Sequence, residues 1–295
     1  RLIVGTRPVH RELEEELADW RETEAATVFP TGFAANLGVL ATFADSKTLV
    51  VSDELNHASI IDGCRLARAD VAIARHGDPE HVDELLKRAS GRRAIVVTDA
   101  VFSMDGDLAP LNELAEVCTR NGALLVVDEA HSVISPAVEY GEAEVLRVGT
   151  LSKTLGALGG FVAGPRAAVD LIVNRSRAYI FTTAPTPADM AAALAAVKIV
   201  RSQEGDALRE ILRSRVRQLQ PEIKSPASPI IPIRFGTEQA TLGAAAALLK
   251  QGFLVPAIRP PTVPVGTSRL RIALSATHSA EQVDALARAL IALRS

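Results

Sequence analysis

The chain has 295 residues, about twice the ~150 of a typical domain, so one large domain with a smaller companion is the first expectation. Lys and Arg total 32 against 35 Asp and Glu, and this net charge of −3 argues against a general nucleic-acid or polybasic membrane binder. Two cysteines are too few for a disulfide framework, no apolar run reaches the ~18 residues of a membrane span, and no secretory leader pattern opens the sequence, so a cytoplasmic globular protein is expected.

In chain order, His10–Trp20 is predicted to be helical, because Leu13, Leu17 and Trp20 recur at i, i+4, i+7. Short apolar runs follow at Ala26–Phe29, Thr48–Ser52, Ala94–Thr98, Ala123–Val127, Val145–Val148, Gly160–Ala163 and Ala178–Phe181. They lack polar alternation, the pattern of strands buried on both faces of a parallel sheet. Helical stretches at Pro79–Arg88 and Ala109–Arg120 lie between them, the second stopped by Asn121-Gly122. The alternation predicts an α/β fold.

The pattern changes near Pro185. Pro187 to about Leu219 reads as one long or broken helix, with Gly205 as the expected interruption, followed by the Pro/Ser-rich Pro221–Pro229. Strand Ile230–Phe235, helix Glu238–Lys250, strands Leu254–Ile258 and Arg269–Leu274, and helix Ser279–Leu293 complete an α+β segment. Ser279 and Gln282 form a capping-box start. The predicted division is a large domain over 1–190 and a small one over 191–295.

Five segments carry chemistry. Lys153 sits in Gly149–Gly156 among small and hydroxylated residues just after a strand, where a Schiff-base amine is well placed. Alone, such a lysine is usually a surface side chain. Asp128 ends the apolar run Leu124–Val127, at the strand end where α/β sheets open their ligand crevice. Alone, it reads as readily as a capping acid. Together, 25 residues apart, the two point to pyridoxal phosphate (PLP). Thr31-Gly32 joins a strand to a helix, a phosphate seat or plain capping. His57 follows a further strand end, placed either to stack on an aromatic ring or to cap a helix. Arg269 and Arg271 share one face of a strand, where a guanidinium can take a carboxylate, although Arg269 reads better as a solvated side chain. The remaining histidines show no ligand spacing and neither cysteine belongs to a CxxC, so no metal is assigned.

In family order, Asn56–Ser59, Phe102–Asp107, Asp128–His131 and the Lys153 segment resemble the α-oxoamine synthases among fold-type-I PLP enzymes. The likeness runs from Arg1–Thr6 to the last helix. It implies an aspartate aminotransferase-like transferase, with a large, mostly parallel-sheet domain and a smaller α+β domain at its C-terminal end. It also implies roles. Lys153 would carry the cofactor and move the Cα proton, Asp128 would pair with the pyridinium nitrogen, and His57 would stack on the ring. Ser103 and His131 would bond the phenolic oxygen. Gly32, Phe33 and Thr150 would hold the phosphate, joined by Thr182 and Thr183 of a neighbouring subunit in a homodimer. Arg271 would bind the amino-acid carboxylate, and Arg259 would help place the acyl chain.

Within the family, Ile258–Pro264, Tyr179–Ala184 and Arg201–Asp206 most resemble the branch that joins L-alanine to a pimeloyl thioester in biotin synthesis. The donor would ride on coenzyme A or on an acyl carrier protein. Another α-oxoamine synthase, such as one acting on glycine, or a PLP-dependent aldolase stays open as an alternative. The sequence departs from the family at Arg1, which opens inside a motif, at Ser132, where glycine is usual, in a short loop between His131 and Thr150, and in the short link Leu219–Ser225. These departures lead one to expect intact PLP residues and leave two accounts of the acyl-binding surface open, segments absent from this sequence or a shortened chain with weakened acyl binding.

Overall fold

The structure is a computed structural model that describes residues 1–88, 91–220 and 227–293. Most of the Pro221–Pro229 stretch and of the Leu219–Ser225 link lies outside the described residues. The chain divides into two compact units. The first is Arg1–Val101, Ala109–His131 and Ala137–Gln203; the second is Phe102–Leu108, Ser132–Pro136 and Glu204–Ser295.

The first unit runs α1 (Pro8–Trp20), β1 (Ala25–Phe29), α2 (Gly32–Phe43), β2 (Leu49–Asp53), α3 (Ala58–Ala67), β3 (Asp70–Ala74), α4 (Pro79–Arg88), β4 (Ala94–Asp99), α5 (Leu111–Asn121), β5 (Leu124–Asp128), β6 (Val145–Thr150), β7 (Gly160–Gly164), α6 (Arg166–Arg175), α7 (Arg177–Ile180) and α8 (Pro187–Val200). Its seven strands form one sheet in the order β1-β7-β6-β5-β4-β2-β3. Neighbours from β6 to β3 are parallel, and β7 runs antiparallel to both β1 and β6. Val50, Val97, Val126, Val148 and Val162 are fully buried against α2 and α3, while Val28, Phe161 and Ala163 join Leu13, Leu17 and Met190 in a second core cluster. Each fully buried Val or Leu stabilises the fold by about 1.5–3 kcal/mol. The absence of polar alternation in these strands follows from that two-sided burial.

Four expectations need correction. Ala178–Phe181 is not a strand: α7 turns there, with Tyr179 buried edge-on against Phe29 at 5.5 Å. Strand β3 escaped the sequence reading, because an edge strand with Val71 and Ile73 exposed has no buried apolar run. The long helix breaks at Arg201-Ser202, and Gly205 is a buried residue inside the first turns of α9 (Gln203–Leu219). The two compact units divide at Gln203/Glu204, later than residue 190, because Met190, Ala193, Leu194 and Val197 of α8 pack with Leu13 and Leu17 of α1.

The second unit adds β8 (Ile230–Gly236), α10 (Glu238–Leu249), β9 (Ala257–Ile258), β10 (Ser268–Ala273) and α11 (Ala280–Ala292) to α9. Its antiparallel sheet has the order β8-β10-β9, and β9 is shorter than its apolar run because only Ala257 and Ile258 pair with β10. Ser279 Oγ accepts from Gln282 N–H while Gln282 Oε1 accepts from Ser279 N–H, which is the expected capping box.

Candidate active site

The site of the first unit is built where β1, β2, β4, β5 and β6 end and β7 begins. Asp128 closes β5 with its side chain buried. Asn36 Nδ2 donates to its Oδ2 at 2.6 Å, and Ala130 N–H donates to Oδ1 at 2.9 Å. Burial still pushes the carboxyl above its ordinary range, against those two hydrogen bonds and the charges of Lys153 and His57.

Lys153 stands in the Leu151–Gly159 hairpin between β6 and β7. Leu151, Leu155 and Ala157 bury themselves in the core, and Leu151 and Gly159 are joined by a backbone hydrogen bond of 2.9 Å. The turn Lys153–Gly156 closes at 3.2 Å over a left-handed Gly156. The amine is thereby presented outwards, with Nζ 2.9 Å from His131 Nε2.

The candidate phosphate seat is the start of α2. Thr31 caps it: its Oγ1 accepts from Ala34 N–H at 3.0 Å and its carbonyl from Ala35 N–H at 3.1 Å. The first N–H groups of a helix have no partner within it, so those of Gly32 and Phe33 point off the end, where the helix dipole favours an anion. A Cβ on Gly32 would meet Thr150 Cβ at 3.2 Å, which places the Thr150 hydroxyl against the same helix end. That hydroxyl donates to Gly159 O at 3.1 Å and lies 2.9 Å from Ser152 Oγ. Gly160 has no room for a side chain, since its Cβ would sit 2.4 Å from Gly32 N.

His57 caps α3. Its Nδ1 accepts from Ser59 N–H at 3.3 Å and lies 2.7 Å from Ser59 Oγ, which leaves the ring proton on Nε2. The ring lies edge-on to Phe33 with centroids 6.5 Å apart. Desolvation lowers its pKa, the Asp128 charge opposes that and the Lys153 charge adds to it. His57 is thus the helix cap of the plainer reading and, in the same position, a ring beside the phosphate seat.

The first unit therefore brings together Gly32, Phe33, His57, Asp128, His131, Thr150 and Lys153. Thr182 and Thr183 follow α7 rather than a strand, and the Thr182 carbonyl accepts from the Arg1 backbone nitrogen at 3.2 Å. Ser103, Arg259 and Arg271 belong to the second unit. There Arg271 Nε donates to the Ser103 carbonyl at 2.5 Å, and burial lowers its pKa. Arg259 is half exposed, 3.7 Å from Glu238. Arg269 is not solvated: it is buried and paired with Asp105, which also bonds Arg234 at 3.0 Å. A register shift between Ser268 and Arg269, next to β8, accompanies that inward turn.

Two residues escaped the sequence reading. Asn36 lies one helical turn beyond Gly32 and is buried within an α2 whose other residues are apolar except Thr42, which is the signal that would have found it. Asp99 ends β4 as Asp53 ends β2 and Asp128 ends β5, so the same apolar-run-then-Asp pattern recurs three times.

A buried acid, a lysine on a short hairpin, and a helix start with two outward N–H groups define the site class, and these residues fit PLP. The model of aminotransferases of class I and II matches residues 1–290, and the chain belongs to that family. An 8-amino-7-oxononanoate synthase of Anaeromyxobacter dehalogenans is 49% identical over 308 residues, covering 99% of this chain and 77% of that protein. The protein of the same name from Alkalilimnicola ehrlichii is 44% identical, covering 98% and 78%. Among solved structures, serine palmitoyltransferase of S. paucimobilis with bound PLP–myriocin aldimine superposes with a TM-score of 0.93 at 32% identity, covering 99% of this chain and 78% of that one.

Proposed function

We propose that the chain is a PLP-dependent acyltransferase that condenses L-alanine with a pimeloyl thioester, releasing the thiol and CO₂ to give 8-amino-7-oxononanoate for biotin synthesis. The observation that carries the reading is one rim holding Asp128, the Lys153–His131 pair and the α2 phosphate seat, in a chain nearly half identical to enzymes of that name.

PLP bound at this rim supplies an electron sink that acidifies the Cα–H of the amino acid attached to it. The chain's own residues do the rest. Gly32 and Phe33 N–H and the Thr150 hydroxyl hold the phosphate. Asp128 keeps the ring nitrogen protonated, and the paired cation offsets the burial that raises the acid when it stands alone. His57 covers the ring face. Lys153 Nζ would hold the cofactor and, once displaced from it by the amino acid, would take the Cα proton as general base and later return it. His131 Nε2, 2.9 Å away, directs that amine and reaches the phenolic oxygen. The family resemblance would add Ser103 as a further bond to the phenolic oxygen, Arg271 as the charge-assisted partner of the alanine carboxylate and Arg259 as an aid to the acyl chain. Thr182 and Thr183 reach the phosphate of a second copy in a cytoplasmic homodimer.

The test is thiol release from pimeloyl-CoA or a pimeloyl carrier protein by the purified protein with PLP. Release that needs L-alanine and disappears with Lys153→Ala supports the reading. Cleavage of a small amino acid without thioester would replace it with an aldolase. Condensation faster with glycine and a short acyl donor would replace it with another α-oxoamine synthase.

A further inference from the structure

Asp99 has no part in the reaction as derived above, yet it is as deeply placed as the acid that does. It is 4% exposed at the end of β4, in register with Asp128 on the adjacent parallel strand. Parallel register partners project to the same side of a sheet, with strands about 4.8 Å apart. The two carboxyls are thus neighbours on one face.

The contacts of Asp99 lead to His57. Its Oδ2 accepts the His57 backbone N–H at 2.8 Å, and its own N–H donates to Asn56 Oδ1 at 2.9 Å. Asn56 Nδ2 in turn donates to the Val97 carbonyl of β4 and to Ser52 Oγ of β2. The loop that delivers His57 is therefore stitched to β4 by two side chains. At the ring a second line runs from Asp128 to Asn36 Nδ2, from there to Ser59 Oγ at 2.9 Å, and on to His57 Nδ1. His57 is held at main chain and ring by two routes that both end at the β4–β5 strand ends.

We propose that Asp99 is a positioning residue for His57, fixing its main chain as a hydrogen-bond acceptor. Rotation of the ring is restrained by Ser59, but its height above the sheet depends on the backbone contact that Asp99 makes. Burial, the Asp128 charge from β5 and the Asp53 charge from β2 push the Asp99 carboxyl above its ordinary range, opposed by the His57 N–H bond and the Lys153 charge from the β6–β7 hairpin. The inference rests on the PLP reading of the site and concerns how that site is held.

The experiment compares Asp99→Asn with Asp99→Ala in the PLP-loaded protein, read by PLP affinity, by visible circular dichroism of the bound cofactor, and by the pH midpoint of its absorbance. Asn keeps an acceptor and carries no charge, so it should match the wild type within about twofold in affinity with the midpoint unmoved. Ala should weaken PLP by about tenfold and reduce the dichroism. A wild-type Ala variant, or an Asn variant as damaged as Ala, overturns the proposal. A midpoint about one pH unit lower in Asn overturns it as well, because Asp99 would then act on the cofactor through its charge and not by holding His57. If Ala does not fold, the Asn midpoint and affinity alone decide. Failure of the wild type itself to bind PLP would instead refute the site reading, a different result.

Discussion

Asn36 Nδ2 lies 2.6 Å from Asp128 Oδ2, and the same amide reaches Ser59 Oγ at 2.9 Å. Both amide hydrogens are used and Asn36 Oδ1 is buried without a partner, so the two acceptors dictate which way the amide faces. Helix α2 therefore contributes to the site twice, with its N-terminus at the phosphate seat and with Asn36 one turn later at the buried acid. A hydrogen bond to a charged group contributes about 1.5–3 kcal/mol. Asn36→Ala should weaken PLP about 10- to 100-fold while the fold persists, since the truncated amide also removes an unpartnered oxygen. Absorbance titration with PLP and a thermal melt measure the two effects.

Gly32 and Gly160 should separate ligand binding from folding. At Gly160 a methyl group would strike the backbone of Thr31 and Gly32 at about 2.5 Å, and backbone cannot swing aside. Gly160→Ala should cost roughly 1–3 kcal/mol or more in urea unfolding. At Gly32 the same methyl meets the Thr150 side chain at 3.2 Å, which a small shift relieves. Gly32→Ala should leave the melting temperature within a few degrees and chiefly weaken PLP, by crowding the seat.

The Asp105–Arg269 pair predicts a stability defect in the second unit. Arg269 is 3% exposed, so Asp105→Ala strands a buried guanidinium, a change that typically costs about 3–5 kcal/mol. Asp105→Ala with Arg269→Leu removes both charges and should recover most of the loss. A double-mutant cycle in urea checks this, and a double variant no better than Asp105→Ala would refute the pairing energetics.

The buried acids set the pH response of the cofactor-free protein. Asp99 and Asp128 are raised by burial, so their contribution is present below the ordinary carboxylate pKa and is lost as pH rises through the raised values. His57 runs the other way: lowered by desolvation, it adds stability above its ordinary pKa and loses it as pH falls through the lowered value. Asp99→Asn should therefore raise the melting temperature of the cofactor-free protein at pH 8, and by less at pH 5. Bound PLP should flatten the carboxyl contribution, since its cation favours the Asp128 anion. Melts across pH with and without PLP measure both.

Much of this was legible in the residues. Apolar runs located the inner strands because burial on both faces removes polar alternation. Thr31-Gly32 marked a helix start because capping chemistry is local. The edge strand β3 was not legible, for its side chains face solvent. Nor was α7, whose Tyr179 and Ile180 mimic a strand until Phe29 from β1 is seen packing on it. Asp99 and Asn36 were readable as residues but not as partners, because their bonds join elements 23 to 92 positions apart. Arg269 misled for the same reason: its counter-charge lies 164 positions away.

The reversal of β7 has a last consequence. Because β7 runs against β6, the chain leaves the sheet at Thr150 and re-enters it directly alongside, at Gly160. A parallel strand would have required a crossover of a dozen residues or more. Lys153 therefore hangs on a short leash knotted at both ends to the rim. Adding or deleting a residue between Leu151 and Gly159 would raise, lower or turn the amine with no slack to absorb the change. Loop length, among the most freely varied quantities in proteins, becomes here a coordinate of that amine.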